Sequence, residues 1–220
     1  MLKKLQAITG LIFATFVAVH LLNTWLAGLG PAAYDGVQVA LRQVYQFIFV
    51  EVLILSALLV HVVAGVMRIV KEPKRTLTIR ARVHRYAGFF LMLVILGHIL
   101  AVRGSSMFFD VYPGFAGLAF SIEFLPGFFY PYYLLLGVAG FYHALNGSGI
   151  ALQRLSGRLG GLGWRFVLPQ RRLALASSVA ALVMVVSLLG FGGVWFDVGD
   201  VASSDFARLA KELLGVETTP

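Results

Sequence analysis

Residues 44–70 read VYQFIFVEVLILSALLVHVVAGVMRIV. Only Glu51 and Arg68 in this run are charged, and each lies toward one end. A helix that crosses a bilayer needs ~20 predominantly apolar residues, and this run exceeds that. It is bounded on one side by the breaker Gly28-Leu29-Gly30-Pro31 and on the other by the cationic stretch from Lys71 to Arg82. Four further stretches have the same character: about Leu5–Leu26, His84–Val102, Pro131–Leu152 and Leu173–Trp195. The expected fold class is an all-α integral membrane protein with five transmembrane helices and one membrane domain over residues 1–220. The first stretch follows Lys3-Lys4 as the core of a signal peptide does. It is longer than the ~7–15 residues of such a core and carries a histidine mid-segment, so the expectation is a retained span.

Composition agrees. The 220 residues are 59% apolar and 13% charged, where a soluble domain has about 45–50% and about 25%. Too few charges are present to cover a water-facing surface of this size. The chain has no Cys, which excludes disulfides, thiolate metal sites, iron–sulfur ligation and covalent haem attachment. The net charge of +8 raises the question of nucleic acid, and the distribution of the charge answers it.

With the N-terminus in the cytoplasm, the inner segments hold 14 of the 18 cations against one anion, Glu72, a net of +13. The outer segments hold Arg42, Arg103, Arg208 and Lys211 against nine carboxylates, a net of −5. Cations gather on the cytoplasmic side of membrane proteins, so the expected topology is N-in and C-out, with no nucleic acid needed as a partner. The remaining segments read as connectors. An aromatic outer loop covers about Ser105–Tyr130, and a Gly-rich basic inner loop covers Ser156–Pro169. The outer tail, residues 199–220, contains a short amphipathic helix over Ser203–Leu214, with Ser203 or Ser204 as N-cap and Gly215 as stop. Trp25, Trp164 and Trp195 fall near span ends, as interfacial anchors do.

Ionisable side chains inside spans are costly and mark function. Four of the five histidines, His20, His61, His98 and His143, lie one in each of the first four spans. His20 is 16 residues from Lys4 and His98 is 13 from Arg85, or about 24 and 20 Å along a helix. His61 is 10 residues from Lys71 and His143 is 11 from Arg154, or about 15 and 17 Å. Depth thus sorts them into an outer pair, His20/His98, and an inner pair, His61/His143.

An internal repeat underlies this sorting. Gly10 precedes His20 by ten residues as Gly88 precedes His98, and His61-Val-Val-Ala-Gly65 matches His143-Ala-Leu-Asn-Gly147. Spans one and two therefore resemble spans three and four, which predicts a pseudo-twofold four-helix bundle plus one helix. Gly65 and Gly147 lie one turn from their histidines on the same face, and Gly10 and Gly88 on roughly the same side as theirs. A missing side chain there admits something flat to the backbone.

Bis-histidine haem b fits such a frame, since a planar macrocycle needs two axial nitrogens and apolar walls. Zinc fits less well with two histidines and no neighbouring carboxylate. Interhelical hydrogen bonding alone is the bland reading, and four depth-paired, glycine-flanked histidines weigh against it. A haem-free transporter calls for a broken helix at mid-membrane, and no span carries a clear one.

The run Lys4-Leu-Gln-Ala-Ile-Thr-Gly-Leu with Val-His20-Leu-Leu-Asn resembles the first span of the cytochrome b anchor of succinate dehydrogenases and fumarate reductases. His84-Arg-Tyr-Ala-Gly88 with His98, and Phe141-Tyr-His-Ala-Leu-Asn-Gly147, are similar to later helices of the same superfamily, and the whole resembles its single-chain dihaem type over about residues 1–195. The first span carries Gln6 at the position that matches His84. This resemblance implies two b haems, one on His20 and His98 and the other on His61 and His143. It also implies a flavoprotein and an iron–sulfur subunit docked on the cytoplasmic face of a bacterial inner membrane. Electrons would pass between those partners and membrane quinone, which is the substrate; the chain itself would not act on dicarboxylate. A free-standing membrane b-type cytochrome with another donor is the alternative.

Glu51, His84 and Arg85 are candidates for quinone and proton handling. Arg85 and His84, with Arg68 and Arg103, are also candidates for the haem-propionate region, because arginine pairs with carboxylates through two hydrogen bonds. His84 lies at a span's inner edge beside Arg82 and Arg85, so a wet interfacial setting is expected for it rather than axial ligation.

Overall fold

The computed structural model describes residues 1–71, 76–156 and 167–216. Most of the basic inner loop, with Arg158, Trp164 and Arg165, lies outside the described residues, as do Glu72, Lys74, Arg75 and Glu217. The described residues are 87% helical and contain no strand. In order the helices are α1 (Leu2–Trp25), α2 (Pro31–Tyr45), α3 (Ile48–Lys71), α4 (Ile79–Ile99), α5 (Ser105–Phe109), α6 (Gly114–Phe124), α7 (Pro126–Leu155), α8 (Gln170–Phe191) and α9 (Asp205–Leu214).

Among the described residues five helical stretches are long and apolar enough to cross a membrane: Leu2–Leu29, Ile48–Lys71, Ile79–Phe109, Pro126–Leu155 and Gln170–Phe191. They carry large apolar side chains on their open faces, with Phe49, Val70 and Leu93 each at least 75% exposed. That pattern is unfavourable in water and suits a hydrocarbon surround. The helices overrun the sequence boundaries at most ends, because helical hydrogen bonding continues where apolarity stops. Two ends fall short instead: the start of the second span, at Ile48 rather than residue 44, and the end of the fifth span. It ends at Phe191, and Trp195 sits in the turn beyond, donating from Nε1 to the Val186 carbonyl at 3.0 Å.

The chain forms two compact units. The first comprises Met1–Leu21, Leu41–Met92 and Val138–Ala180. It contains α3 whole and parts of α1, α2, α4, α7 and α8, and in it histidines lie against glycines and bond to backbone carbonyls of facing helices.

The second unit comprises Leu22–Ala40, Leu93–Gly137 and Ala181–Pro220. Its core is aromatic: Tyr34, Phe115 and Phe191 are each at most 2% exposed, with the Phe115 and Phe191 rings 4.7 Å apart and Tyr34 edge-on to Phe191 at 5.2 Å. α1 runs out into a 3-10 turn over Leu26–Leu29, and Gly30 takes φ of 110°, a backbone region that side chains disfavour. Pro31 then opens α2, the position where its missing N–H costs nothing. Asp35 of α2 reaches α6, where its Oδ1 accepts from the Phe115 N–H at 2.8 Å and covers an orphan donor of the first turn.

Two expected connectors are corrected here. Residues 31–45 form a helix that buries Tyr34 and Gln38, and the aromatic stretch 105–130 is α5, α6 and the start of α7 rather than a loop. Phe115, Phe120 and Ile122 of α6 are buried. The tail helix α9 has the expected caps: the Ser204 hydroxyl accepts from the Ala207 N–H, and Gly215 closes it at φ of 65°. It is part of the second unit's core, since Ala207 is fully buried and Phe206 lies over Gly117.

Candidate functional site

The first unit brings His61 of α3 and His143 of α7 together. Their ring centroids are 6.1 Å apart and the ring planes are perpendicular. Each ring is tied by Nδ1 to a backbone carbonyl of a facing helix: His61 to Gln6 of α1 at 3.0 Å, and His143 to His84 of α4 at 3.1 Å. A carbonyl can only accept, so both rings carry the proton on Nδ1 and present a lone pair at Nε2. Among the described residues neither Nε2 has a hydrogen-bond partner. Orientation of the ring through its second nitrogen is the usual setting of a metal-ligating histidine.

Glycines make this approach possible. A Cβ on Gly10 would stand 2.7 Å from His61 Cε1 and 2.8 Å from its Nδ1, and one on Gly88 would stand 2.9 Å from His143 Cε1. The space beside these glycines is thus filled by the histidine of the facing helix. Gly65 in turn faces the Gln6 amide, with Nε2 3.1 Å from a Cβ there, and Gly147 faces the His84 ring, with Cε1 at 3.3 Å. The sequence repeat is therefore a repeat of contacts. Gln6, Gly10, His61 and Gly65 make one set, and His84, Gly88, His143 and Gly147 make the other.

The two sets differ at the Gln6/His84 position. The Gln6 side-chain oxygen accepts from Arg68. The His84 ring instead lies flat on His143, with centroids 4.1 Å apart and planes 5° from parallel. The expected wet, interfacial setting of His84 is thus replaced by a packed one, with Nδ1 buried. Arg80, one turn earlier on α4, donates from Nε to Asn146 Oδ1 and from Nη1 to the Leu168 carbonyl, both at 2.7 Å. The Tyr142 hydroxyl donates to the Arg80 carbonyl at 3.4 Å.

His20 belongs to the first unit, where it stacks on Phe16 at 5.6 Å, and Phe16 meets Tyr45 edge-on. Burial raises the Tyr45 phenol above its ordinary value, opposed by the positive charge of Arg42, so it stays neutral. His98 belongs to the second unit, in the last turn of α4. It is followed by a π-helical turn over Leu100–Gly104, a local feature frequent near functional residues. Arg103 in that turn donates to the Ser106 hydroxyl at 2.9 Å. Glu51 lies in the first turn of α3, and Arg85 lies half-buried next to His84.

Arg80 and Asn146 join the site without a reading from sequence, and Gln6, which the sequence marks only as the counterpart of His84, joins it through its carbonyl and its amide. Their spacing carried the signal, since Arg80 lies four residues before His84 and Asn146 three after His143, one turn along the same faces. No group of three or more His, Asp or Glu is gathered as a metal site among the described residues. The donor set at the centre of the first unit is a pair of imidazoles. No family model, curated protein or solved structure matches this chain.

Proposed function

We propose that this chain is a b-type cytochrome of the membrane, with two haems. Its role is to anchor a succinate:quinone oxidoreductase and to pass electrons between cytoplasmic flavoprotein and iron–sulfur subunits and membrane quinone. The observation that carries the reading is the His61/His143 pair. Two imidazoles that share one metal, each with a ligating nitrogen about 2 Å from it, have ring centroids roughly 6 Å apart. The observed separation is 6.1 Å, with both Nδ1 atoms engaged elsewhere. On this reading His61 and His143 hold one haem and His20 and His98 the other. The matching contact sets support a pseudo-twofold arrangement of the first four spans, and the sorting of cations supports N-in and C-out across a bacterial cytoplasmic membrane.

A haem bound there supplies reversible one-electron chemistry at its iron. The chain's own residues do the rest. The carbonyls of Gln6 and His84 fix the imidazole planes, Gly10 and Gly88 let the rings reach their seats, and apolar spans exclude water. Exclusion of water holds the ligand geometry and keeps charge change local. Glu51, His84 and Arg85 remain the candidates for quinone and proton handling.

The test is a reduced-minus-oxidised spectrum with haem quantitation on the chain purified from membranes with whatever partners it carries. Two b haems per chain are expected. His61→Ala and His143→Ala should each remove one and spare the other. A stoichiometry near zero would sink the cytochrome reading. Haem without any flavin-bearing partner would leave a free-standing electron carrier.

A further inference from the structure

We infer that α2 is a membrane-immersed cover helix, with lipid acyl chains on its open face and the protein on its polar face. It lies in the leaflet where spans one and two are joined, and the inference does not rest on the proposed function. α2 has 15 residues, too few for the ~20 that a crossing needs. It opens at Pro31 directly after Gly30, whose φ of 110° turns the chain out of α1. A helix turns by about 100° per residue. The exposed residues of α2, all small or apolar except Gln43, then fall within one arc of about 160°. The remaining arc holds Tyr34, Asp35, Gln38, Arg42 and Tyr45, which include every charged and phenolic residue of the helix. The protein engages these groups: Gln38 Nε2 donates to the Tyr34 hydroxyl at 3.0 Å, and Asp35 accepts from the Phe115 N–H.

A helix at a water surface has the opposite sense, apolar within and polar without. α9 has that sense, with Ala207 and Leu209 buried and Asp205, Arg208 and Glu212 exposed. Residues 31–40 and α9 belong to the same unit. That unit therefore carries one helix suited to water and one suited to hydrocarbon. On α2, Val37, Val39 and Val44 are 40%, 49% and 61% exposed. Apolar exposure runs on from Val44 through Phe47, Ile48 and Phe49 into α3, one of the membrane-length helices. This continuity with a lipid-facing surface makes acyl chains the occupant. On its inner side, Tyr45 meets Phe16 edge-on and Phe16 stacks on His20. The immersed helix is thereby packed, through Phe16, on the stretch of α1 that holds His20.

The chain has no Cys, so a single introduced cysteine can be labelled alone. Val37→Cys, Ala40→Cys and Val44→Cys report on α2, Leu93→Cys on the open face of α4, and Glu212→Cys on α9. Each full-length variant, with whatever partners it carries, is placed in phospholipid vesicles and given a nitroxide label. Relaxation of the label is measured with oxygen, which concentrates in hydrocarbon, and with a water-soluble nickel chelate. The three α2 labels should group with Leu93→Cys, relaxed by oxygen more than by nickel, and Glu212→Cys should show the reverse. Hydrocarbon excludes a charged maleimide, which should therefore react with the unlabelled α2 cysteines roughly tenfold or more slowly than with Glu212→Cys. Should a label prevent folding, this rate decides. Nickel relaxation or maleimide reaction on α2 equal to that of Glu212→Cys overturns the inference and puts the helix in water. Exclusion of oxygen and nickel alike also overturns it. Oxidative cross-linking between copies through Gly36→Cys would then give the face to a second copy, and failure to cross-link would give it to a partner subunit.

Discussion

Replacing Gly10 by alanine tests the central packing directly. The added Cβ would stand 2.7 Å from His61 Cε1 and 2.8 Å from Nδ1, where ordinary contact begins at 3.4 Å. The ring must retreat by about 0.7 Å, the difference between 3.4 and 2.7. Its bond to the Gln6 carbonyl, now 3.0 Å, stretches beyond useful length if the ring moves that way. Overpacking of this kind costs about 1–3 kcal/mol and the hydrogen bond about 1 kcal/mol. Helix propensity returns about 1 kcal/mol for Gly→Ala, which leaves a net loss of roughly 1–3 kcal/mol. Gly88→Ala needs a smaller retreat, since its closest contact is 2.9 Å, and should cost less. Gly97 and Gly140 lie in α4 and α7 with nothing within 4 Å of an added Cβ, so alanine there brings only the propensity gain. Thermal unfolding in detergent, followed by tryptophan fluorescence and by any haem absorbance, should rank Gly10→Ala below Gly88→Ala and both below Gly97→Ala. If Gly10→Ala unfolds with Gly97→Ala and keeps an unchanged spectrum, the packing of His61 on α1 described here is wrong.

Two further predictions concern the second unit. Gly190→Ala would set a Cβ 2.5 Å from the carbonyl oxygen of Ala27, a backbone atom that cannot swing aside. It should lower stability by about 1–3 kcal/mol, and a melting temperature equal to wild type would contradict that contact. Ser204→Ala removes the hydroxyl that accepts from the Ala207 N–H at 3.2 Å, at a cost of about 1 kcal/mol. Limited proteolysis should then cut near α9 sooner than in wild type, whereas unchanged cleavage would show that α9 does not depend on its cap.

Much of the candidate site was legible in the chain. Four histidines stood out because an imidazole within an apolar run has no cheap explanation, and the glycine repeat stood out because it recurs at fixed spacing. The partner of each glycine was not legible. Spacing pairs Gly10 with His20, on its own helix, yet what fills the space beside it is His61. Spacing along one helix reports which residues share a face and says nothing about which neighbour that face meets. The setting of His84 is illegible for a related reason, since two flanking arginines describe the chain near it while the ring's packing comes from His143 of α7.

The five spans and the caps of α9 follow from sequence alone, because hydropathy, charge and capping act over a single turn or a single helix. The tertiary structure decided what became of residues 31–45 and 105–130, helices that bury Tyr34, Phe115 and Phe120. In water an apolar residue announces burial. Beside a membrane the same residue is at home against lipid or against protein, so the pattern of apolar residues loses its power to tell inside from outside. Only the packed helices of each unit resolve that ambiguity, with help from the few polar contacts that lipid cannot supply: Asp35 on Phe115 in the second unit, and His61 on Gln6, His143 on His84 and Arg80 on Asn146 in the first.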